Sequence, residues 1–572
     1  MTRIANKNRV RRLAAALVVV ALAGCARIPT AGVVQEGDAE VPEQGGVAIV
    51  AEGPAPDATP DRIVDGFLLA AAAGLSVRSG NLDFTVARQY LWADAREAWD
   101  PSAGVLVYDS TRTERPTDTQ VTIEAAVRGK VDAEGRYAEA APDARETVTF
   151  DLVQDSRGQW RISALPDGLI LPLRTFDDFY RSARLYFLDP AASMLVPEIR
   201  YYPAANLATS LMNGLLAGPS PWWRDALRTA IPAGVRLDPP SVPVDSATGT
   251  AEVTLAPSAT VQAAERPALM LAQIDATLRQ AGVGVRTVEV RAQQVDGEGL
   301  VLEGVADLAT AGEADLAGGP EMIADGALVT LVGQSLEPVP GVGSLADLDA
   351  RSPARSEDGS VRVLLDGPHR LVLAPTAEQP ATTLVEGQNL AAPSVDRFGW
   401  VWTASGGRLV AVNQLGGQAE IAEPPGLTGR DVIALRASRD GTRIALVTEG
   451  PDGVAVDVAG VVRGQDGSPQ QILDPGPRVG AAVTGADSVV WIDDTQLAVM
   501  SRGTASSSIW LVSVGGPSRA LPAVIDAVSL AGGRLDRSII VATEAGGLLR
   551  YSGTAWVAVP DVAGVADPSY PG

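Results

Sequence analysis

From about residue 352 onward the chain repeats one pattern, a polar turn rich in Asp and Gly followed by a short apolar run. The segments SPARSEDGSVRVLL, APSVDRFGWVWTA, RASRDGTRIALVT, TGADSVVWIDDTQLAVM and DAVSLAGGRLDRSIIVAT begin near 352, 392, 436, 484 and 526. Their spacing of about 40 to 48 residues is the period of a four-stranded propeller blade. Helical periodicity is absent here, and Gly and Pro punctuate short strands. Residues 326–572 are therefore expected to form an all-β propeller, with a pair of β-sandwiches as the alternative. Five blades are clear. A sixth forms if ALVTLVG near Val329 closes against the last strands.

Two mixed units precede it, so the chain reads as multidomain. Residues 58–180 open with a helix: Thr59 is placed as N-cap, Pro60 suits the first turn, and Ile63, Phe67 and Ala70/Ala71 recur at helical spacing until Gly74. FTVARQYLW is expected as a second helix carrying Val86, Tyr90 and Leu91. Alternating strands follow, and two helices with a curling meander suggest an α+β cone of the nuclear-transport-factor-2 (NTF2-like) type. Such cones hold pockets, but the expected pocket acids and His are missing from these strands, which favours a scaffold.

Residues 181–304 read as an α/β sandwich. ARLYFLD and LVPEIRYYP are strands, and ATSLMNGLLAG is a helix with Leu207, Leu211 and Leu215 on one stripe, stopped at Gly218-Pro219. TAEVTLA alternates, a second helix carries Leu271, Ile274 and Leu278, and TVEVRAQ closes the unit. Residues 305–325 read as a linker into the propeller.

The N-terminus fixes an address. Arg3, Lys7, Arg9, Arg11 and Arg12 precede an apolar run from Leu13 to Ala23, too short to span a bilayer as a helix. Leu22-Ala23-Gly24-Cys25 then matches a bacterial lipoprotein signal, in which the thiol takes a diacylglycerol and the peptide is cut before Cys25. Residues 1–24 are thus a signal peptide and 25–57 a Pro-containing, acidic, extended tether. Two acyl chains suffice for stable anchoring where one is marginal. The expected location is the extracytoplasmic face of the cell membrane, held through the N-terminal lipid. Cys25 is the only cysteine, so no intrachain disulfide exists and stability must come from packing.

Composition narrows the chemistry. The formal charge is −23, and loss of the signal's five cations makes it −28. That balance argues against nucleic acid and against contact with anionic headgroups. The single histidine, His369, lies in a Gly-Pro turn and excludes imidazole zinc sites and nucleophilic mechanisms needing a second His. No P-loop, G-x-S-x-G elbow or H-E-x-x-H is present, so no catalytic residues, metal or cofactor are expected. Asp493-Asp494 is the most conspicuous acidic pair, yet neighbours on a strand point to opposite faces, and turn aspartates ordinarily satisfy backbone N–H groups. Trp222-Trp223, after Pro221, has two readings: one indole in the core with the other over a helix end, or an exposed aromatic anchor for a partner.

The order of lipobox, Cys25-Ala26-Arg27-Ile28-Pro29-Thr30, helix-and-strand unit, sandwich and propeller resembles the actinobacterial lipoprotein LpqB family. Within the sandwich, RLYFLD, LVPEIRYYP, LMNGLLAGPS, LRTAIPAGVRL, AEVTLA and LAQIDATLRQ resemble a GerMN domain. CARIPT, LLAGPS and ALPDGL are the most specific stretches, and Tyr570-Pro571-Gly572 is similar to the family's C-terminal end. The resemblance implies a non-enzymatic envelope lipoprotein that binds the extracytoplasmic domain of a sensor histidine kinase, MtrB of the MtrAB system. It thereby implies a part in cell-wall homeostasis and division. A glycan-binding or glycan-hydrolysing propeller lipoprotein is the alternative, and would need convergent Asp, Glu and Arg at one mouth of the propeller.

Overall fold

A computed structural model describes residues 49–76, 82–293, 300–310, 316 and 318–572. Cys25, the signal and the first part of the tether lie outside the described residues. All described residues belong to one compact unit, Val47–Gly572.

The first domain winds a half-barrel sheet round one helix. Helix α1, Pro60–Ala73, turns Ile63, Val64, Phe67, Ala70 and Ala71 inward. Strands β1 (Gly104–Thr117), β2 (Gln120–Asp132), β3 (Tyr137–Glu139), β4 (Arg145–Gln154), β5 (Trp160–Ala164) and β6 (Leu169–Pro172) form a sheet of order β5-β4-β2-β1-β6, with β3 on β2. Phe67 meets Trp99 and Phe150 edge-on, with centroids 5.2 and 6.3 Å apart. The expected second helix is two short ones, α2 (Thr85–Arg88) and α3 (Ala93–Ala98). Between them Tyr90 O accepts the Ile162 N–H at 2.9 Å and Trp92 N–H reaches Ile162 O at 2.7 Å, so pairing with β5 outcompetes helix continuation. Part of the expected tether is also built in. Ile49 and Ala51 pack on the first core, and Asp57 exchanges hydrogen bonds with the Gln159 side chain. Helix α4, Leu173–Phe179, leads out of the domain.

In the second domain β7 (Tyr180–Leu188) and β8 (Leu195–Pro203) form a hairpin. Helices α5 (Leu207–Ala217) and α7 (Pro267–Leu278), with the short α6 (Ser258–Gln262) between them, pack beside β9 (Arg236–Leu237), β10 (Thr250–Ala256), β11 (Thr287–Ala292) and β12 (Leu300–Val301). The sheet order is β12-β11-β10-β9, with β10 and β11 parallel. Leu207, Leu211 and Leu215 face Leu271, Ile274 and Leu278 in one core, as their spacing predicts.

The propeller has six blades. Blade two is β16 (Ala350–Arg355), β17 (Arg362–Asp366), β18 (Arg370–Leu373) and β19 (Thr382–Glu386). Blade three has three strands, β20 (Ser394–Val395), β21 (Val401–Ser405) and β22 (Arg408–Val412). Blade four is β23 (Asp431–Ala437), β24 (Arg443–Gly450), β25 (Gly453–Arg463) and β26 (Pro469–Ile472). Blade five is β27 (Ser488–Trp491), β28 (Gln496–Ser501), β29 (Ser508–Ser513) and β30 (Arg519–Ala520). Blade six is β31 (Ala527–Ala531), β32 (Ile540–Thr543), β33 (Leu548–Tyr551) and β34 (Trp556–Ala558). Blade one joins both ends of the domain: β13 (Glu321–Ala324), β14 (Ala327–Val332) and β15 (Ser335–Pro338) pair with β35 (Val565–Ser569) in the order β15-β14-β13-β35. The run ALVTLVG thus closes against the last strand. The innermost strands β35, β16, β20, β23, β27 and β31 neighbour one another round the ring.

The stretch 305–325 is not all linker. Leu195 N–H bonds Ala309 O at 3.0 Å, Ala306 N–H bonds Ala268 O, and Glu321–Ala324 is a blade strand. Its composition reads as linker because these ties are made by backbone groups, which hydropathy does not register.

Candidate functional site

The three domains meet around strand β8. Glu198 and Arg200 lie two residues apart, so both side chains leave the same face, and that face is buried: Glu198 is 6% exposed and Arg200 1%. The Arg200 Nε donates to Glu198 Oε1 at 2.7 Å. Glu198 Oε2 accepts the Ser220 N–H at 3.1 Å and the Trp223 Nε1–H at 3.2 Å, and the Ser220 hydroxyl donates to Oε1. Burial works against the charge on Arg200, but Glu198 outweighs it and holds the guanidinium more firmly protonated than usual.

This pair reaches both neighbours. Towards the first domain, Arg200 donates to Glu134 O at 2.8 Å, the Tyr202 hydroxyl donates to the same carbonyl at 3.0 Å, and Tyr201 N–H bonds Gly135 O at 2.7 Å. Gly135 has φ +83°, and a Cβ there would lie 2.8 Å from Tyr201 O, so the turn needs glycine. Towards the propeller stand Trp222 and Trp223, stacked at 4.6 Å with 8° between planes. Trp223 is 1% exposed, so it offers no surface to an outside partner, while Trp222 is half-buried. Blade four presents bare backbone to them: a Cβ on Gly476 would lie 2.7 Å from the Trp222 ring, and one on Gly460 would lie 3.1 Å from Trp223 Cβ. Arg443, ion-paired with Asp440, is held between Trp223 and Trp491, 4.8 and 5.0 Å from their centroids.

The first domain also grips the propeller directly. Glu139, at the end of β3, accepts the Ser518 N–H at 2.8 Å, the Ser518 hydroxyl at 2.6 Å and the Ala481 N–H at 3.1 Å. Further round, Arg397 bridges Asp189 of the second domain at 3.2 Å. The junction leaves only a narrow crevice, with a cavity volume of about 40 Å³. No histidine, cysteine or lysine lines it, and both oxygens of Glu198 are taken by donors.

Elsewhere the repeated turns use their aspartates structurally. Asp358, Asp396, Asp440 and Asp493 stand between the first two strands of blades two to five. Asp396 accepts the N–H groups of Phe398 and Trp400, the Trp402 indole N–H and a guanidinium N–H of Arg463. Asp493 binds Thr495 N–H and hydroxyl. At the mouth on this face, Glu357, Arg397 and Arg439 surround Pro571 and Gly572 and leave a cavity of only about 10 Å³. Arg439 donates to the carbonyls of Gly532 and Gly533. His369 is exposed in its turn, with Nδ1 3.2 Å from Gly387 O. Among the described residues no group of His, Cys, Asp and Glu could hold a metal ion.

Sequence reasoning missed Glu139, Glu198 and Arg200. A signal existed for the latter two, because opposite charges two apart in the otherwise apolar strand LVPEIRYYP share one face. Glu139 left none, since its partners lie hundreds of residues away.

Comparison with known proteins covers all three domains. Residues 53–177 match the N-terminal domain of lipoprotein LpqB, 184–300 a sporulation and spore germination domain, and 326–571 the LpqB β-propeller domain. Lipoprotein LpqB of Thermobifida fusca is 29% identical over 90% of this chain and 91% of its own length. That of Mycobacterium tuberculosis is 29% identical over 97% of this chain and 98% of its own length. That of Cutibacterium acnes is 34% identical over 47% and 44%. Among solved structures, TolB from Acinetobacter baumannii aligns with a TM-score of 0.32 at 12% identity, over 50% of this chain and 83% of its own. No helix among the described residues is long and apolar enough to cross a membrane. With the two LpqB domains at either end, the germination-type domain between them and relatives aligned over nearly the full length, the chain belongs to the LpqB lipoprotein family.

Proposed function

We propose that this chain is a non-enzymatic accessory protein, lipid-anchored through Cys25 on the extracytoplasmic face of the cell membrane. It binds the extracytoplasmic domain of an MtrB-type sensor histidine kinase and modulates two-component signalling in cell-wall homeostasis and division. The observation that carries this reading is the commitment of the charged groups. Glu139, Glu198, Asp396 and Asp440, which a catalyst would keep available, are spent on joining domains and turns. What remains is a rigid three-domain body offering broad surfaces, and confinement by a tether raises its effective concentration towards a membrane partner. Trp222 and Trp223 belong to the internal joint, so the kinase docks on another surface. Co-purification of the kinase ectodomain with the full chain tests the proposal. No capture at high micromolar concentration, together with unchanged kinase output on deletion of the lipoprotein, overturns it.

The glycan reading draws on one feature, the cleft of about 680 Å³ between blades two and three beside Arg397 and Phe398. Its Ser356, Asp358 and Ser360 bind one another, and Asn413 Oδ1 caps the N–H groups of Leu415 and Gly417. Release of reducing sugar from purified wall, lost on substitution of a carboxylate, would establish that reading instead.

A further inference from the structure

Strand β1 runs on past its parallel neighbour. β6 pairs with Val105–Tyr108 and stops at Pro172, opposite Tyr108. From Asp109 to Thr117, β1 has β2 on one side and, among the described residues, no strand on the other. Every residue from Asp109 to Thr119 is exposed. An open edge of this kind is a template for a further strand.

Alternation shows which of its backbone groups are free. Val127 N–H bonds Ala144 O at 2.9 Å and Leu152 N–H bonds Thr119 O at 2.8 Å, so the odd-numbered residues of β2 turn their main-chain groups towards β4. Thr122 and Glu124 therefore turn theirs towards β1, where they stand opposite Glu114 and Arg112. Thr111 and Thr113 are left with N–H and C=O directed at solvent.

The side chains say which strand fits. Arg112 and Glu114 lie two apart on one face and are ion-paired with each other at 3.2 Å. On the same face Arg112 stands opposite Glu124, which pairs with Arg145. A second copy of β1, antiparallel about a two-fold axis at Thr113, sets each Arg112 opposite Glu114 of the partner subunit. That cross-strand pair is of the non-hydrogen-bonded kind, with Cα atoms about 4.5 Å apart and side chains at their closest. The intrachain ion pair survives the match, because the four charges then alternate in sign around the axis. Moving the axis to Arg112 or to Glu114 sets like charges face to face, so charge selects the register.

We propose that β1 pairs with β1 of a second copy, antiparallel and centred on Thr113, in a two-fold dimer of the first domain. Pro116, which has no N–H, and the register shifts on either side of Ser110–Glu114 keep the ladder short. One short strand pair buries less than the roughly 1,200–2,000 Å² of a stable interface, so the dimer is weak and reversible.

Cross-linking of the full chain traps such a pair. Thr113→Cys puts a thiol on the axis, where the Cα separation of about 5.5 Å in a hydrogen-bonded pair suits a disulfide. After equilibration in a thiol–disulfide buffer, mass spectrometry identifies the joined residues, which keeps links through Cys25 apart. The expected result is a 113–113 link several-fold more abundant than the 111–111 link of Thr111→Cys. Arg112→Glu or Glu114→Arg, each added to Thr113→Cys, should cut the yield several-fold, and the two together should restore it. Both side chains are exposed, so the unfolding midpoint should not move. In the unsubstituted chain, exchange of the Thr113 amide should slow as protein concentration rises while that of Val127 stays constant. Equal yields at 111 and 113 overturn the proposal, as does a 113–113 yield indifferent to the charge reversals. A Thr113 cysteine that links to a different protein instead of its own copy also overturns it and gives the edge to that partner's strand.

Discussion

Glu139 of the first domain holds Ser518 of the propeller through two hydrogen bonds, to its N–H at 2.8 Å and its hydroxyl at 2.6 Å, across 379 residues of chain. A charged acceptor strengthens such bonds to about 1.5–3 kcal/mol. Glu139→Ala should therefore loosen the first domain from blade five without unfolding either. Hydrogen exchange will show it as faster exchange of the Ser518 and Ala481 amides, with protection inside β2 and β28 unchanged. Uniform protection everywhere would mean that the latch is redundant.

The Glu198–Arg200 pair should behave asymmetrically. Removing one buried partner strands the other, at a cost of about 3–5 kcal/mol, whereas replacing both with apolar residues of similar size is close to neutral. Glu198→Leu is expected to lower the denaturation midpoint far more than Glu198→Leu with Arg200→Met. Equal losses in the single and double variants would show that the pair's hydrogen bonds to Ser220 and Glu134 outweigh the charge effect.

Acid sensitivity follows from the blade turns. Hydrogen bonds from the Ser356 hydroxyl and from Ser360 hold Asp358 down at about 2. Burial alone would raise Asp440, but Arg443 and its hydrogen-bond donors keep it below the usual range. A depressed carboxylate stabilises the fold above its unfolded value, near 3.9, and loses that contribution as pH falls through its folded value. Thermal unfolding should thus be flat above pH ~5 and decline below pH ~4. Asp358→Asn should make the decline shallower, the two proteins converging below pH ~2. A decline equally steep in the variant would assign acid sensitivity to other groups.

Cys25→Ala should abolish incorporation of a fatty-acid analogue and leave uncleaved precursor or released protein. Label retained by the variant would show that the anchor lies elsewhere.

Much of the architecture was legible because it is written in periodicity. Ile63, Phe67 and Ala70 mark α1, Ala251, Val253 and Leu255 mark β10, and Asp440-Gly441 before Ile444 marks a blade. The misses have one physical origin. The helix expected through Tyr90 broke because a distant backbone, at Ile162, offered better hydrogen bonds than the next helical turn. Trp222 and Trp223 satisfied both readings until Gly460 and Gly476 were seen to make room for them in another domain. A local pattern registers which face is apolar, not which remote surface will cover it.

The pairing of β35 with β13 dictates an order of assembly. Blades two to six are each made from one continuous stretch, so they can form as the polypeptide emerges. Blade one cannot, because its innermost strand is the last to arrive, and bringing it to Glu321 closes a loop spanning the whole propeller. That closure costs little more than a shorter one, since the entropy of joining ends grows only with the logarithm of length. Its timing is what matters: until Val565–Ser569 docks, β13 presents a raw edge and blade six lacks the neighbour that packs on β31 and β32. The vulnerable moment in this protein's life is accordingly the interval before its last propeller strand docks, and any quality control acting on it should survey the ring's final seam.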